Sequence, residues 1–474
     1  LMQRVIKRCI DEQVNLEAYD KNRNLLYNGL KDLGFACIKP QGAFYMFVKS
    51  PEADEKKFCE ACKKHNVLVV PGSSFACPGY VRFSYCSICP TDRLSAPCLP
   101  LRRSRRNTAC NGRITTQEDN FMRPWEANIR RVVPYVPGDQ PKGSRLIKLN
   151  TNENPYPPAP GVARALREMD PEAFRKYPDP SSSCLVEALS ARYGVDKERI
   201  FVGVGSDDVI GMAFLTFFNS EKPVLFPDIS YSFYPVWADL FGILHKTPAL
   251  DGEFRIRPED YYQENGGVVF PNPNAPTGIF MPLNQVEDIL RHNQDVVVIV
   301  DEAYIDFGGI SALPLTEKYE NLLVVQTFSK SRAMAGMRIG FAVGHPDLIR
   351  ALSDVKYSYN SYTMNLPSQI LGAEAVKDQV YFQEITSRII ATRERAKERL
   401  GELGFTFPDS MTNFLFVTHE RASARELFAA LKREQIYVRY FDQPRLNNSL
   451  RITIGTDGEM EALYAFLENY LKTV

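Results

Sequence analysis

From Ile200 to Val343 the sequence repeats one pattern, a short apolar run followed by an amphipathic stretch. The runs are Ile200–Val202, Val224–Phe226, Val268–Phe270, Val296–Val300, Leu323–Gln326 and Ile339–Val343. Continuous apolar strands alternating with helical periodicity predict a mostly parallel sheet covered by helices on both faces. The fold class is therefore α/β. A smaller α/β portion is expected to follow, with a long charged helix over Tyr381–Leu403 and strands at Phe414–Val417, Ile436–Val438 and Leu450–Ile454.

A chain of 474 residues suggests roughly three structural units. Residues 1–86 read as a separate small α/β piece: a helix over Leu16–Leu33, a strand at Ala43–Val48, a helix at Ala53–His65, and strands at Val67–Val70 and Tyr80–Tyr85. From 87 to 121 the periodicity stops and Pro90, Pro97, Pro100, Arg102, Arg103, Arg105 and Arg106 gather, which predicts a disordered basic linker. No aromatic residue is interleaved for base stacking, so a solvated tail is expected. Nine of the ten cysteines precede residue 111. Cys59 and Cys62 with Cys86 and Cys89 have the spacing of a four-thiolate zinc site. Their flanks, however, read as a helix and a strand without the turns such a site needs, so buried thiols and no metal are expected.

Lys+Arg and Asp+Glu both total 57, so no net field draws nucleic acid or an anionic membrane. No apolar run approaches the ~20 residues of a membrane span, and no signal-peptide pattern opens the chain. The expected partners are small molecules or protein, and the expected address is the cytoplasm.

The chemical cues sit at strand ends. Val296-Val-Val-Ile-Val-Asp-Glu-Ala-Tyr304 places Asp301 at the carboxyl end of a strand, where open α/β sheets bind ligands. The chain contains no Gly-x-x-x-x-Gly-Lys-Ser/Thr loop, which excludes a nucleotide-hydrolase reading of this strand. An aspartate there can pair with a protonated ring nitrogen. Thr327-Phe-Ser-Lys330 closes another strand, and a lysine so placed suits a Schiff base. Gly203-Val-Gly-Ser-Asp-Asp208 leads from a strand toward a helix over Val209–Phe218, and free N–H groups at a helix start suit a phosphate. Between them, Asn272-Pro-Asn-Ala-Pro-Thr-Gly278 could set an amide beside a bound ring.

This ordered set resembles the fold-type-I pyridoxal-phosphate aminotransferases. The resemblance implies that pyridoxal 5'-phosphate is the cofactor and that Lys330 carries it as a Schiff base. Asp301 would hold the pyridinium nitrogen, Tyr304 the ring hydroxyl, and Ser206, Ser329 and Arg338 the phosphate, with Asp207 and Thr327 also contacting the cofactor. Tyr231 would stack on the ring. Tyr177, in Arg175-Lys-Tyr-Pro-Asp179, would cross a homodimer interface to the partner's cofactor phosphate. Many relatives carry Asn immediately before Pro-Thr-Gly, where this chain has Ala275, so the resemblance implies a ring-facing amide from Asn274 or none at all.

Leu149-Asn-Thr-Asn-Glu-Asn-Pro-Tyr156, the Tyr-Pro-Asp segment and Leu450-Arg-Ile-Thr-Ile-Gly-Thr456 narrow the resemblance to the histidinol-phosphate aminotransferases, over 122–474. That implies a large domain at about 160–365 and a small domain built from 122–159 and 366–474. It also implies amino transfer between L-histidinol phosphate and 2-oxoglutarate, a step of histidine biosynthesis. One substrate is a phosphate and the other a dicarboxylate, and planar arginine forks accept both. Arg451 and Arg439 match the family's anion-binding arginines, with Tyr135 as a phenolic partner. The alternatives are a threonine-phosphate decarboxylase-like lyase and an aromatic amino acid aminotransferase. Pro40–Phe47, Val69–Phe75 and Gly79–Tyr85 look like the small domain of another class I aminotransferase, with Arg82 matching its carboxylate arginine. Lacking a lysine strand and a phosphate loop, that zone is expected to be catalytically silent.

Overall fold

The computed structural model describes residues 16–42, 45–65, 67–75, 77–84, 128–135, 138–141, 143 and 146–472. The expected linker at 87–121 lies outside them, as do Cys86 and Cys89. The chain divides into two compact units, Leu1–Phe121 and Met122–Val474.

In the first unit a helix at Leu16–Asp32 precedes β1 (Tyr45–Lys49), a helix at Glu55–Lys64, β2 (Val70–Pro71) and β3 (Tyr80–Ser84). The strands form an antiparallel sheet in the order β1-β3-β2. Leu30, Met46, Val48 and Val81 are its core. The strand expected over Val67–Val70 shrinks to Val70–Pro71, because nothing covers Leu68, which is 82% exposed, and Pro71 has no N–H to donate. Asp54 caps the helix that carries Cys59 and Cys62, and burial pushes both thiols above their usual pKa.

The second unit has two layers of its own. A seven-stranded sheet runs in the order β5-β11-β10-β9-β8-β6-β7. Its strands, with β4 (Ile147–Lys148) preceding them, are β5 (Ile200–Gly203), β6 (Val224–Leu225), β7 (His245–Lys246), β8 (Gly267–Pro271), β9 (Val298–Asp301), β10 (Leu322–Thr327) and β11 (Gly340–Gly344). The pairs from β10 through β9, β8 and β6 to β7 are parallel. Only β11, antiparallel to both β10 and β5, departs from the expected direction. Val268, Phe270, Val298, Val300, Leu322 and Val324 pack into one cluster, and Val269, Ile299, Leu323 and Val325 into another. Alternate residues thus face opposite helical layers, which is why each strand reads as an unbroken apolar run.

The smaller layer holds β12 (Phe405–Thr406), β13 (Phe414–His419), β14 (Ile436–Tyr437), β15 (Arg439–Tyr440) and β16 (Ser449–Thr453). The order β12-β13-β16-β15 is antiparallel, while β14 pairs in parallel with β4. The strand expected over Ile436–Val438 shortens to Ile436–Tyr437 beside β4, and the chain passes to the other sheet only at Arg439. The closing helix, Asp457–Leu471, starts with a complete capping box between Thr456 and Glu459. Helix Leu366–Lys377, placed with the small domain by the sequence reading, sends Leu371, Ala375 and Val376 into a cluster with Leu185, Val202 and Phe341 of the large layer. By packing, the small layer takes over in the next helix, Gln379–Glu402, through Ile389 and Ala396.

Candidate active site

Asp301, Thr327, Gly203 and Pro271 end four strands at one edge of the large sheet. Registers pair Asp301 with Val325 and Pro271, and Gly340 with Thr327 and Gly203. Side chains that follow these residues therefore converge.

Asp301 is 4% exposed. Its carboxylate accepts from the Tyr234 hydroxyl at 2.9 Å and from the Ala303 N–H at 3.2 Å. Burial pushes its pKa up to about 6, while the Tyr234 bond works in the opposite direction. A buried carboxylate in this state gains most from a cationic partner. Its neighbour Glu302 points elsewhere, accepting from Ser311 Oγ and Ala312 N, both at 2.6 Å, and from Gln326 Nε2 at 2.8 Å. That bond ties β9 to β10, and burial pushes Glu302 up to about 7.

Lys330 follows β10. Its Nζ donates to the Thr151 carbonyl at 3.1 Å and lies 5.6 Å from the Tyr304 ring centre. Asn154 Nδ2 donates to the carbonyls of Lys330 and Ser331, both at 3.1 Å, which holds the lysine loop from outside. The Tyr304 hydroxyl accepts from Asn152 Nδ2 at 2.9 Å, and its ring stands edge-on to Phe414 at 5.1 Å.

The phosphate-type corner is built by close backbone approach. The helix begins at Ser206, three residues earlier than the sequence pattern suggested, so the Ser206, Asp207 and Asp208 N–H groups form its open first turn. Gly205 has φ +89°, and a Cβ there would lie 2.5 Å from Arg338 Nη2. A Cβ on Gly340 would lie 2.3 Å from the Gly205 carbonyl carbon, so both positions exclude a side chain. Arg338 Nη2 donates to Asp207 Oδ2 at 2.8 Å, and the Tyr231 hydroxyl donates to Asp207 Oδ1 at 2.6 Å. Burial and then the Asp207 charge push the Tyr231 pKa well up, which keeps it a donor. Thr327 Oγ1 donates to Ser329 Oγ at 3.0 Å and accepts from the Ser329 N–H.

Arg451 is held by the Asn150 carbonyl at 3.2 Å between the rings of Phe414 and Phe441, with its Nε buried and unpartnered. Burial lowers its pKa from the usual arginine range. Arg439 sits opposite it in the β15–β16 pair. Among the described residues neither arginine has a carboxylate partner. Tyr135 stacks on Phe233 at 4.3 Å.

Neither Asn274 nor Tyr177 takes part in the hydrogen bonds just described. The Asn274 amide N–H groups are taken by the Ile229 carbonyl and Thr277 Oγ1, leaving a buried Oδ1 without a partner. Tyr177 is 82% exposed and stacks on Tyr362 at 4.6 Å. Three contributors were not assigned from the sequence: Tyr234, Asn152 and Thr151. The last two belong to the Asn-Thr-Asn-Glu-Asn segment, whose five consecutive polar residues beside an apolar strand were the available signal.

The residues present fit pyridoxal 5'-phosphate. A buried acceptor awaits a ring N–H, a lysine amine stands beside Tyr304, and a side-chain-free cradle with an arginine meets an anion. The family described as "Aminotransferase class I and II" matches residues 4–95 and 144–467. "Histidinol-phosphate aminotransferase" of Lactococcus lactis subsp. cremoris is 48% identical over 348 residues, covering 73% of this chain and 98% of that protein. The protein of the same name from Pseudomonas putida is 50% identical over 343 residues, covering 72% and 99%. A solved histidinol-phosphate aminotransferase from Sinorhizobium meliloti, in complex with pyridoxal-5'-phosphate, superposes with a TM-score of 0.64 at 26% identity, covering 69% of this chain and 91% of that one.

Proposed function

The chain belongs to the class I and II aminotransferases, and from that premise we propose that it transfers the amino group between L-histidinol phosphate and 2-oxoglutarate, giving imidazole-acetol phosphate and glutamate. Pyridoxal 5'-phosphate is its cofactor. When bound, it supplies a carbonyl that takes up the amino group and a ring that accepts the electron pair left on deprotonation.

Each residue then has one task. Lys330 carries the cofactor and, once its amine is free, moves a proton to or from the substrate carbon. Asp301, a buried carboxylate fixed by Tyr234, keeps a proton on the ring nitrogen. Tyr304 meets the ring hydroxyl and Tyr231 the ring face. The Ser206–Asp208 N–H groups, Ser329 and Arg338 take the phosphate, for which Arg338 exchanges Asp207. Arg451 and Arg439 hold the substrate's phosphate or the distal carboxylate of glutamate, with Tyr135 beside them.

The observation that carries this reading is the facing pair Arg439 and Arg451, which lacks a carboxylate partner among the described residues. Two like charges brought together call for an anion between them. The exposed Tyr177 with Tyr362 supports a homodimer in which Tyr177 reaches the neighbouring site. A biosynthetic exchange among small phosphorylated metabolites suits the cytoplasm.

The test is product analysis with purified protein. Histidinol phosphate plus 2-oxoglutarate should yield glutamate, with far lower kcat/KM for phenylalanine. Release of carbon dioxide from threonine phosphate would establish the lyase reading, and a preference for phenylalanine the aromatic one.

A further inference from the structure

Asn152 is 1% exposed, has a left-handed backbone with φ +55°, and joins three parts of the second unit. Its N–H donates to Thr453 Oγ1 at 3.0 Å, and that hydroxyl donates onward to Asn152 Oδ1 at 3.1 Å. Asn413 Nδ2 donates to the Asn152 carbonyl at 3.0 Å. These bonds decide which way the amide faces. With Oδ1 committed to the Thr453 hydroxyl, Nδ2 must point to Tyr304, whose oxygen it meets at 2.9 Å. A phenol has one proton to give and lone pairs to receive. Asn152 fills the receiving side, so the Tyr304 proton is left to go elsewhere.

We propose that Asn152 is a positioning residue for the cofactor: by donating to the Tyr304 oxygen it aims the phenolic proton at the ring hydroxyl oxygen of bound pyridoxal 5'-phosphate. The inference rests on the assignment of Tyr304 to that oxygen. Accepting a bond polarises the phenol and makes it a better donor. A donor at the ring oxygen favours its ionised form, so the bound cofactor should titrate at a lower pH than it would without Asn152. The need is greater here because the turn before Pro276 offers Ala275, and both amide N–H contacts of Asn274 are already spent on Ile229 and Thr277.

The experiment follows the absorbance of the bound cofactor against pH in the full-length holoenzyme. Asn152→Gly keeps the left-handed backbone and removes the amide. Asn152→Asp keeps the acceptor toward Thr453 but turns the donor into a second acceptor that captures the Tyr304 proton, and it carries the test if the glycine variant does not fold. The midpoint should rise by about half a pH unit in Asn152→Gly, the size of one neutral hydrogen bond, and further in Asn152→Asp. Tyr304→Phe should raise it too, and adding Asn152→Gly to Tyr304→Phe should change nothing more. If Tyr304→Phe shifts the midpoint while both Asn152 variants titrate like the parent, the role of Asn152 is refuted and Tyr304 keeps its own. If Tyr304→Phe leaves the midpoint in place, the assignment of Tyr304 falls and this inference with it.

Discussion

Arg439 stands directly opposite Arg451 in the antiparallel β15–β16 pair, and the carbonyl of Asn150 is the hydrogen-bond partner that the Arg451 guanidinium has among the described residues. Burial, and further the like charge of Arg439, lower the Arg451 pKa. Arg451→Lys keeps a charge but loses the fork. We expect kcat/KM to fall roughly 10- to 100-fold for both histidinol phosphate and glutamate. Parent-like constants for both would remove Arg451 from the site.

Lys330→Ala takes away the amine that lies beside Tyr304 and bonds to the Thr151 carbonyl. Turnover should drop by about two to four orders of magnitude, the usual share of a positioned proton-transfer group, or more. Borohydride treatment should no longer fix cofactor to the protein. A reducible link that survives the substitution would put the attachment on another lysine.

Tyr234→Phe deletes the donor that holds the Asp301 carboxylate. Since that bond lowers an aspartate already raised to about 6, its loss moves Asp301 further up. The variant should bind the cofactor roughly ten-fold more weakly. The loss should be larger at pH 6 than at pH 8, because only at the lower pH does the added proton neutralise the carboxylate. Equal losses at both would show that Tyr234 acts through packing alone.

Glu302 is a carboxylic acid that the fold raises from its ordinary 4.5 to about 7. A raised acid stabilises the native state below its unfolded pKa, and that contribution is lost as pH climbs through the folded value. Glu302→Gln is insensitive to this change. Between about pH 4.5 and 7, the unfolding free energy of the parent relative to the variant should therefore fall as pH rises, by up to about 3 kcal/mol. A flat difference would mean that Glu302 titrates normally.

Residues 122–474 contain every group assigned to the cofactor and substrates and form a unit distinct from 1–121. Expressed alone, they should keep cofactor content, kcat and dimerisation. A truncated protein that folds and dimerises yet loses turnover would give the first unit, with Arg82 over Phe75 and Tyr45, a part in the reaction.

What the sequence revealed and what it hid divide by distance along the chain. Asp301, Lys330 and the Gly203–Asp208 turn announce themselves because each ends an apolar run whose layer is evident from the run itself. Asn152 carries no such mark, since it acts on Tyr304, 152 positions away, and on Thr453, 301 away. A run of amides and hydroxyls reads as a loop until its partners are folded around it. Tyr234 was hidden differently: in Tyr231-Ser-Phe-Tyr-Pro235 it is one aromatic among three, and only helix Tyr234–Phe241 turns it toward Asp301. The reversed direction of β11 was equally unreadable, because strands buried on both faces look alike whichever way they run.

The bonds from Asn150 to Arg451 and from Asn152 to Thr453 join stretches made at opposite ends of the catalytic unit's synthesis. A nascent chain that has passed β11 already possesses Lys330, Asp301 and the cradle of Gly205, Arg338 and Gly340, yet Asn150 and Asn152 lack their partners Arg451 and Thr453 until β16 emerges. Closing so long a loop is slow compared with forming local contacts. These separations predict an order: a sheet first, an open half-pocket next, and a pocket closed through Asn152 and Thr453 only once β16 has been made. Cofactor capture belongs to the last of these stages, so a chain stalled before residue 449 should bind it loosely and release it again.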